Sequence, residues 1–438
     1  MGDGASPATD TENDAGYLAA TDWLTRQRRA GRPRDPRVAR RLLDALGAPD
    51  PPRVLHVVGT NGKGTVAHLL DAMARAQGLR SGRFTSPHVE DLRERIAIGG
   101  EPIGAGEVTD FVARVRPLGR DGIGFFEWTL ALAVDAFHRH GVELAVVEAG
   151  VGARADATMA LPGVIGTVLT NVDLDHVETI GPTLLDVARD KAAVARPGVP
   201  LVTGARGEAL ALVRDVAAGV GAPVWVVDAA QPLARWPDGA PTIDASWPPT
   251  RVENARTALT LGRLLGWDEA ALARGLASPP PPARFERFRL LVDGRPLLAV
   301  LDGAHDPPAA ARLADALPAG YALVFASLAR KRGLDTLEPL RARAGSVWLT
   351  SAEPGEDPPP APTGPGPATH AEPAVEAALA AAARDAVARG APLVVAGSLH
   401  LAGHARPWLR RSASASATAD ANQGAMLAGR WDASGSSA

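Results

Sequence analysis

The residues most able to do chemistry lie at 59–65. There Gly59-Thr60-Asn61-Gly62-Lys63-Gly64-Thr65 follows the apolar run Val54–Val58 and leads into a helix-forming segment. A glycine-rich turn of this kind aims backbone N–H groups at an anion, and the helix N-terminus behind it favours negative charge. Lys63 adds a point charge, and the chemistry implied is phosphate binding. The spacing is not that of the general P-loop, which has four residues between its first glycine and the Gly-Lys pair. Here two residues separate Gly59 from Gly62, and Gly64 stands between Lys63 and Thr65. The plainer alternative is a tight βα turn with a surface lysine.

Further clusters stand at the ends of apolar runs or in loops, where α/β proteins build ligand sites. The first is Thr85-Ser86-Pro87-His88 with Glu94 and Arg95, and the second is Glu148 with Gly152-Ala153-Arg154-Ala155-Asp156-Ala157-Thr158. Next come Thr170-Asn171-Val172-Asp173-Leu174-Asp175-His176 with Lys191 beyond it, then Arg284-Phe285-Glu286, then Asp302-Gly303-Ala304-His305-Asp306-Pro307. Glu148 closes an apolar run, where a bare carboxylate is costly unless paired or bound to a cation. Ser86, Glu148 and His176 form an oxygen and nitrogen set suited to Mg²⁺, which keeps waters and substrate phosphates in its shell. Singly, each residue has a blander reading. Glu148 could pair with Arg154, Ser86 could cap a turn and His176 could be a satisfied loop histidine. Lys191 could lie on a solvated helix face, and Arg284 and Asp302 could form an ordinary ion pair.

These positions require strands and helices in alternation. Apolar runs at 144–148, 164–170 and 200–203 predict buried strands, and helical periodicity marks 127–140, 183–195 and 252–265. Pro279 to Pro282 forms a stiff connector, after which the alternation restarts with strands at 297–301, 323–326, 347–350 and 393–396. The fold class expected is α/β: a P-loop-type nucleotide-binding domain with a mostly parallel sheet, plus a smaller Rossmann-like C-terminal domain. The boundaries expected are a disordered 1–16, a first domain at 17–282, a second at 283–408 and a disordered tail at 409–438. The stretch 353–367 is a Pro/Gly-rich loop, and 225–249 is rich in Pro, Asp and Trp.

A length of 438 residues asks for two cores. A net charge of −3 gives no reason to bind nucleic acid or an anionic membrane. The absence of cysteine excludes disulfides and thiolate chemistry. The small, polar start is no secretory signal, and no apolar run is long enough to span a membrane. Although Met1 to Ser6 matches a myristoylation pattern, nothing beside it supplies a second membrane signal, so the expectation is cytoplasmic.

In this order, these motifs together with Arg189-Asp190-Lys191 and Gly397-Ser398-Leu399 resemble the folylpolyglutamate synthase/dihydrofolate synthase family of the Mur ligase superfamily. The resemblance spans roughly residues 17–406. It implies an ATP-dependent amide ligase that activates a folate or pteroate carboxylate as an acyl phosphate for attack by L-glutamate. By similarity, Gly59, Thr60, Asn61, Gly62, Lys63, Gly64 and Thr65 cradle the phosphates, and Lys63 contacts the transferring group. Ser86, Glu148 and His176 look like Mg²⁺ ligands for one or two ions. Lys191 matches a lysine that the family carbamylates. Asn254, Arg284 and Asp302 resemble the residues that hold the nucleotide, and His305 faces glutamate and the reacting centre once the domains close. The family also leaves room for a monovalent cation and leans toward a monomer.

The sequence departs from the family pattern at Arg93, Ala153, Met159, Asp173 and Asp306. Asp306 is the sharpest departure, an acid where an asparagine is common. Two other readings stay open: a superfamily ligase for a different carboxylate, and a nucleotide-binding paralogue without catalysis.

Overall fold

All five residues of β1 (Val54–Val58) are buried, as befits a strand covered on both faces. The computed structural model describes residues 10–27, 33–118, 122–174, 177–227, 247–328, 333–353 and 355–420. The chain divides into two compact units. One comprises Met1–Ile243 with Arg251–Ser278, and the other Asp244–Thr250 with Pro279–Ala438. The division falls at the head of the proline run rather than after it.

In the first unit, α1 (Asp10–Thr25) and α2 (Pro36–Leu46) precede β1. Then follow α3 (Lys63–Ala76), β2 (Ser81–Phe84), β3 (Ile96–Ile98), β4 (Glu101–Pro102), α4 (Ala105–Val115), α5 (Phe125–Arg139), β5 (Leu144–Glu148) and β6 (Val164–Leu169). After these come α6 (Val177–Ile180), α7 (Leu184–Ala192), β7 (Leu201–Thr203), α8 (Gly207–Val220), β8 (Val224–Val226), α9 (Pro249–Leu264) and α10 (Glu269–Leu276). The sheet order is β4-β3-β2-β5-β1-β6-β7-β8. Pairing is parallel from β2 through β8, and only β3 and β4 run antiparallel. The central strands β1, β5 and β6 therefore deliver their carboxyl ends to one edge of the sheet, and the loops that follow them carry the candidate residues. One core gathers α1, α2, α4 and α5 around the buried Trp128, whose ring meets Trp23 edge-on at 5.4 Å.

The second unit contains β9 (Glu286–Val292), β10 (Arg295–Leu301), α11 (Pro307–Asp315), β11 (Ala322–Phe325), α12 (Gly333–Arg341), β12 (Ser346–Leu349), β13 (Ala368–Ala371), α13 (Val375–Arg389), β14 (Leu393–Ala396) and α14 (Leu399–Asp420). Its order is β13-β12-β11-β14-β10-β9, parallel except for the antiparallel edge strand β9.

Both expected ends shift. Helix α1 begins at Asp10, inside the segment expected to be disordered, because Ala20 and Leu24 bury into the first core. Helix α14 runs to Asp420, past the expected boundary at 408. Its Ala/Ser-rich continuation lacks a breaker, so backbone propagation continues although no core is required. Among the described residues, no helix is long and apolar enough to cross a membrane.

Candidate active site

The loop between β1 and α3 takes its shape from its glycines. Gly59 has φ +146° and Gly62 φ +83°. A Cβ at Gly59 would overlap the Thr170 hydroxyl, and one at Gly62 would overlap the Asn254 amide. Both positions thus need glycine for conformation and for space. The segment after β6 straps the loop down. Thr60 N–H donates to the Asn171 carbonyl at 3.1 Å, and Asn61 N–H donates to Asn171 Oδ1 at 2.9 Å. Thr170 Oγ1 donates to the Asn61 carbonyl at 2.6 Å. Asp173 N–H donates to Thr60 Oγ1 at 3.0 Å, and that hydroxyl donates to the Asp173 carbonyl at 3.1 Å. Asp173 thus fastens the loop through its backbone, while its Oδ1 accepts from Leu174 N–H at 3.3 Å.

Two lysines meet at this loop. Lys63 Nζ donates to the carbonyls of Gly59 at 3.1 Å and Thr60 at 3.0 Å. Lys191 Nζ, on α7, donates to Gly59 at 2.8 Å. Only 1% of Lys191 is exposed, so it does not lie on a solvated face.

Glu148 is buried at the end of β5. Its Oε2 accepts from Ser86 N–H at 3.1 Å, and a Cβ on Gly64 would stand 3.4 Å from that same oxygen. The carboxylate therefore borders both the phosphate-type loop and the Ser86 turn. Burial lowers the affinity of Arg83 and Arg95 for their protons, Arg95 to about 10, and the Glu148 charge opposes that fall in both. The Ser86 turn is organised by Glu94, whose carboxylate accepts from the N–H groups of Val89 at 2.7 Å, Glu90 at 3.1 Å and Asp91 at 3.2 Å. Of the expected metal ligands, Ser86 and Glu148 are adjacent, whereas His176 lies outside the described residues. Among the described residues, no group of three or more His, Asp or Glu could hold a metal. The hard oxygen donors beside the loop fit Mg²⁺, which asks few ligands of the protein.

The turn after Glu148 depends on two carboxylates that stand within the quoted motifs but were given no role there, Asp156 and Asp190. Asp190 Oδ2 accepts from Ala153 N–H at 2.7 Å and fills the space of a Cβ on Gly152, whose φ is +68°. Glycine is thus needed at 152 and not at 153, which accounts for Ala153. Asp156 accepts from Val151 N–H at 3.0 Å, Thr158 N–H at 3.0 Å and Thr158 Oγ1 at 2.6 Å. The Thr158 hydroxyl lies 2.7 Å from His56 Nε2, on β1. Burial pushes the His56 imidazole down to about 3, so the ring is neutral, and it raises the Asp156 carboxyl. Asp156 and Thr158 of this ladder stand in the motif after Glu148, whereas His56 is marked in the sequence only as a histidine inside an apolar run.

In the second unit, Asp302 Oδ2 accepts from Phe285 N–H at 2.8 Å and Oδ1 from Ala304 N–H at 2.9 Å. Desolvation raises its carboxyl above the usual range, against the pull of Arg284. His305 Nδ1 lies 2.8 Å from the Gly303 carbonyl. A carbonyl can only accept, so Nδ1 carries hydrogen and Nε2 keeps a lone pair or a second proton. Asp306 caps α11, its Oδ1 accepting from Ala309 N–H at 2.8 Å. Asn and Asp cap about equally well, so this departure is explained by local structure. Arg93 pairs with Asp91 at 2.9 Å and lies over the Tyr17 ring at 5.1 Å.

No protein-family model matches the chain. It is 38% identical over 305 residues to a probable bifunctional folylpolyglutamate synthase/dihydropteroate synthase of Haloferax volcanii, covering 64% of this chain and 36% of that one. The chain spans little more than a third of the length of this relative and of the Halobacterium salinarum protein of the same description, 36% and 39%. The folylpolyglutamate synthase of Lacticaseibacillus casei is 33% identical over 303 residues, 61% of this chain and 68% of that one. Among solved structures, a bifunctional folylpolyglutamate synthase/dihydrofolate synthase of Yersinia pestis, complexed with AMPPNP and Mn, superposes with a TM-score of 0.74 at 25% identity. It covers 90% of this chain and 98% of that one. With its loop geometry, sheet order and ordered motifs, the chain belongs to the folylpolyglutamate synthase/dihydrofolate synthase family.

Proposed function

We propose that this protein is an ATP-dependent ligase that joins L-glutamate to the carboxylate of a folate-type acceptor, dihydropteroate, tetrahydrofolate or both. The observation that carries this is the convergence at Gly59–Gly64 of a glycine-shaped loop, two lysines and a buried carboxylate. A nucleotide-binding module alone would need no buried Lys191 and Glu148 beside its loop. The Yersinia pestis relative, which binds AMPPNP and Mn, supports a nucleotide with a divalent ion.

In this reading, Gly59 to Thr65 holds the phosphates through backbone N–H groups, and Lys63 leaves its loop carbonyls to meet the transferring phosphoryl group. Ser86, Glu148 and His176 hold Mg²⁺. When bound, the ion supplies positive charge where negative charge develops. Phosphorylation of the acceptor carboxylate turns a poor leaving oxygen into a good one, and the glutamate amine then displaces phosphate. Lys191 braces the loop at Gly59 and is the position expected to carry a carbamate. Asn254, Arg284 and Asp302 serve the nucleotide. His305, its Nδ1 occupied by Gly303, offers Nε2 to the reacting end. The enzyme acts as a cytoplasmic monomer.

ADP release by purified protein with Mg-ATP and L-glutamate tests this, comparing dihydropteroate, tetrahydrofolate and no acceptor, with product mass read in parallel. A glutamate-sized mass gain on either acceptor is expected. ADP release without either product would move the acceptor outside the folates, and bound ATP without turnover would end the ligase reading.

A further inference from the structure

The backbone around Arg284 adopts a conformation that its residues do not prefer. Ala283 and Phe285 both have φ +52°, left-handed positions for residues that carry a Cβ. Such positions persist only where the surroundings over-determine them. Here Ala283 N–H donates to Glu286 Oε2 at 3.0 Å, and Gly303 N–H donates to the Ala283 carbonyl at 2.8 Å. Phe285 N–H donates to Asp302 at 2.8 Å, and Arg284 Nη1 donates to the Ala283 carbonyl at 3.1 Å. The Arg284 guanidinium fills space that a side chain at Gly303 would need.

One of these anchors is itself held from a distant element. Arg406 on α14 contacts both oxygens of Glu286: Nε lies 3.0 Å from Oε1 and 2.9 Å from Oε2, and Nη2 lies 2.9 Å from Oε1. The two side chains are only 16% and 14% exposed. A forked guanidinium–carboxylate pair with little solvent around it is the kind that fixes geometry rather than decorating a surface. Glu286 thus joins α14 to a strained turn.

We propose that Arg406 is a positioning residue for Arg284. By holding Glu286, it keeps Ala283 and with it the turn around Arg284 in its left-handed setting, and so presents the Arg284 guanidinium for the nucleotide. This rests on the reading of Arg284 as a nucleotide-binding residue.

The test uses the full chain, with Mg-AMPPNP affinity by calorimetry and amide exchange at Ala283 and Phe285. Arg406→Gln is expected to weaken AMPPNP by roughly tenfold and to speed exchange at both amides. Ala283→Gly, which adopts a positive φ without penalty, is expected to recover most of that loss in the Arg406→Gln background and to change little on its own. An ion pair that merely stabilised the fold would not be rescued by a glycine at 283. Folded Arg406→Gln with wild-type affinity and exchange overturns the proposal, as does the absence of rescue. Should Arg406→Gln fail to fold, Glu286→Gln keeps an acceptor for Ala283 N–H while losing the charge. A smaller loss, again recovered by Ala283→Gly, is expected there, and no recovery overturns the proposal. Wild-type protein that binds AMPPNP without ligating glutamate would sink the ligase reading and leave this inference standing.

Discussion

Lys191 Nζ lies 2.8 Å from the Gly59 carbonyl, although 132 residues separate them in sequence. Lys63 Nζ shares that oxygen at 3.1 Å. Two ammonium groups on one carbonyl are a poor end state for either, because like charges in a partly desolvated site repel. Moving Lys63 onto a phosphate would relieve that repulsion and leave Lys191 as the brace. Lys191→Met, of similar length, removes the Nζ–H bond to Gly59 together with the charge the side chain carries, positive as an ammonium and negative once carbamylated, an effect of about 1.5–3 kcal/mol. The expected result is a loss of roughly ten- to a hundredfold in kcat/KM for ATP, read from ADP release. Native mass spectrometry in neutral bicarbonate is expected to find one added carbon dioxide on the wild type and none on this variant. Wild-type kinetics in a folded Lys191→Met would remove the lysine from the site.

The loop glycines make a sharper prediction. At Gly62 an alanine would have to hold φ +83° while its Cβ displaced the Asn254 amide. Two penalties fall on one residue, each on the order of 1 kcal/mol or more. Gly62→Ala is expected to abolish measurable AMPPNP binding by calorimetry and to lower Tm by a few degrees. Gly99→Ala, also at positive φ but with open space around its Cβ, controls for backbone strain alone. Gly99 lies in the β3–β4 turn away from the loop, so Gly99→Ala is expected to keep AMPPNP affinity, and a folded Gly62→Ala that also keeps it would mean that the loop does not need glycine at 62.

What could be read in advance follows from local physics. β1, β5, β6, β11, β12 and β14 are apolar runs in parallel sheets, and their boundaries came out within a residue or two. Strand β9 escaped because Glu286, Arg287 and Arg289 alternate with buried Phe288 and Leu290, a pattern suited to a half-exposed antiparallel edge. Phosphate-loop chemistry sits in contiguous residues and was legible. The partners that shape it, Thr170 and Asn171, are distant in sequence, as Asp190 is from the turn at 151–158 that it holds, and only the fold brings them close. Asp306 shows the converse: in the sequence it stands out only as an acid where an asparagine is common, whereas its carboxylate is occupied capping α11.

That cap can be tested apart from catalysis. Asp306→Asn retains an acceptor for Ala309 N–H and is expected to keep Tm within about a degree or two and ligation within about twofold. Asp306→Ala leaves the N–H group without its side-chain partner and is expected to cost about 1 kcal/mol of stability by denaturant unfolding. If the asparagine variant loses ligation at unchanged stability, the charge at 306 takes part in the chemistry.

His56 gives the protein an acid-side liability of definite sign. Burial pushes its imidazole from the ordinary 6.5 down to about 3, while the unfolded chain titrates near the ordinary value. Between those limits the unfolded state binds a proton that the native state refuses, so stability falls as pH falls through that window and is fully present above it. The slope is bounded at about 1.4 kcal/mol per pH unit. His56→Gln presents a side-chain N–H near the position of Nε2, so the bond to Thr158 survives while the titration vanishes. Melting curves taken at successively lower pH should therefore show a steeper loss of Tm in the wild type than in His56→Gln, with little difference above neutrality. Thr158→Val removes the hydroxyl that links His56 to Asp156 and leaves the imidazole buried, so it is expected to lower Tm at every pH without flattening the acid slope. If the wild-type and His56→Gln profiles run parallel on the acid side, the imidazole takes up its proton in the folded state at an ordinary pH, and β1 tolerates a charge at its centre.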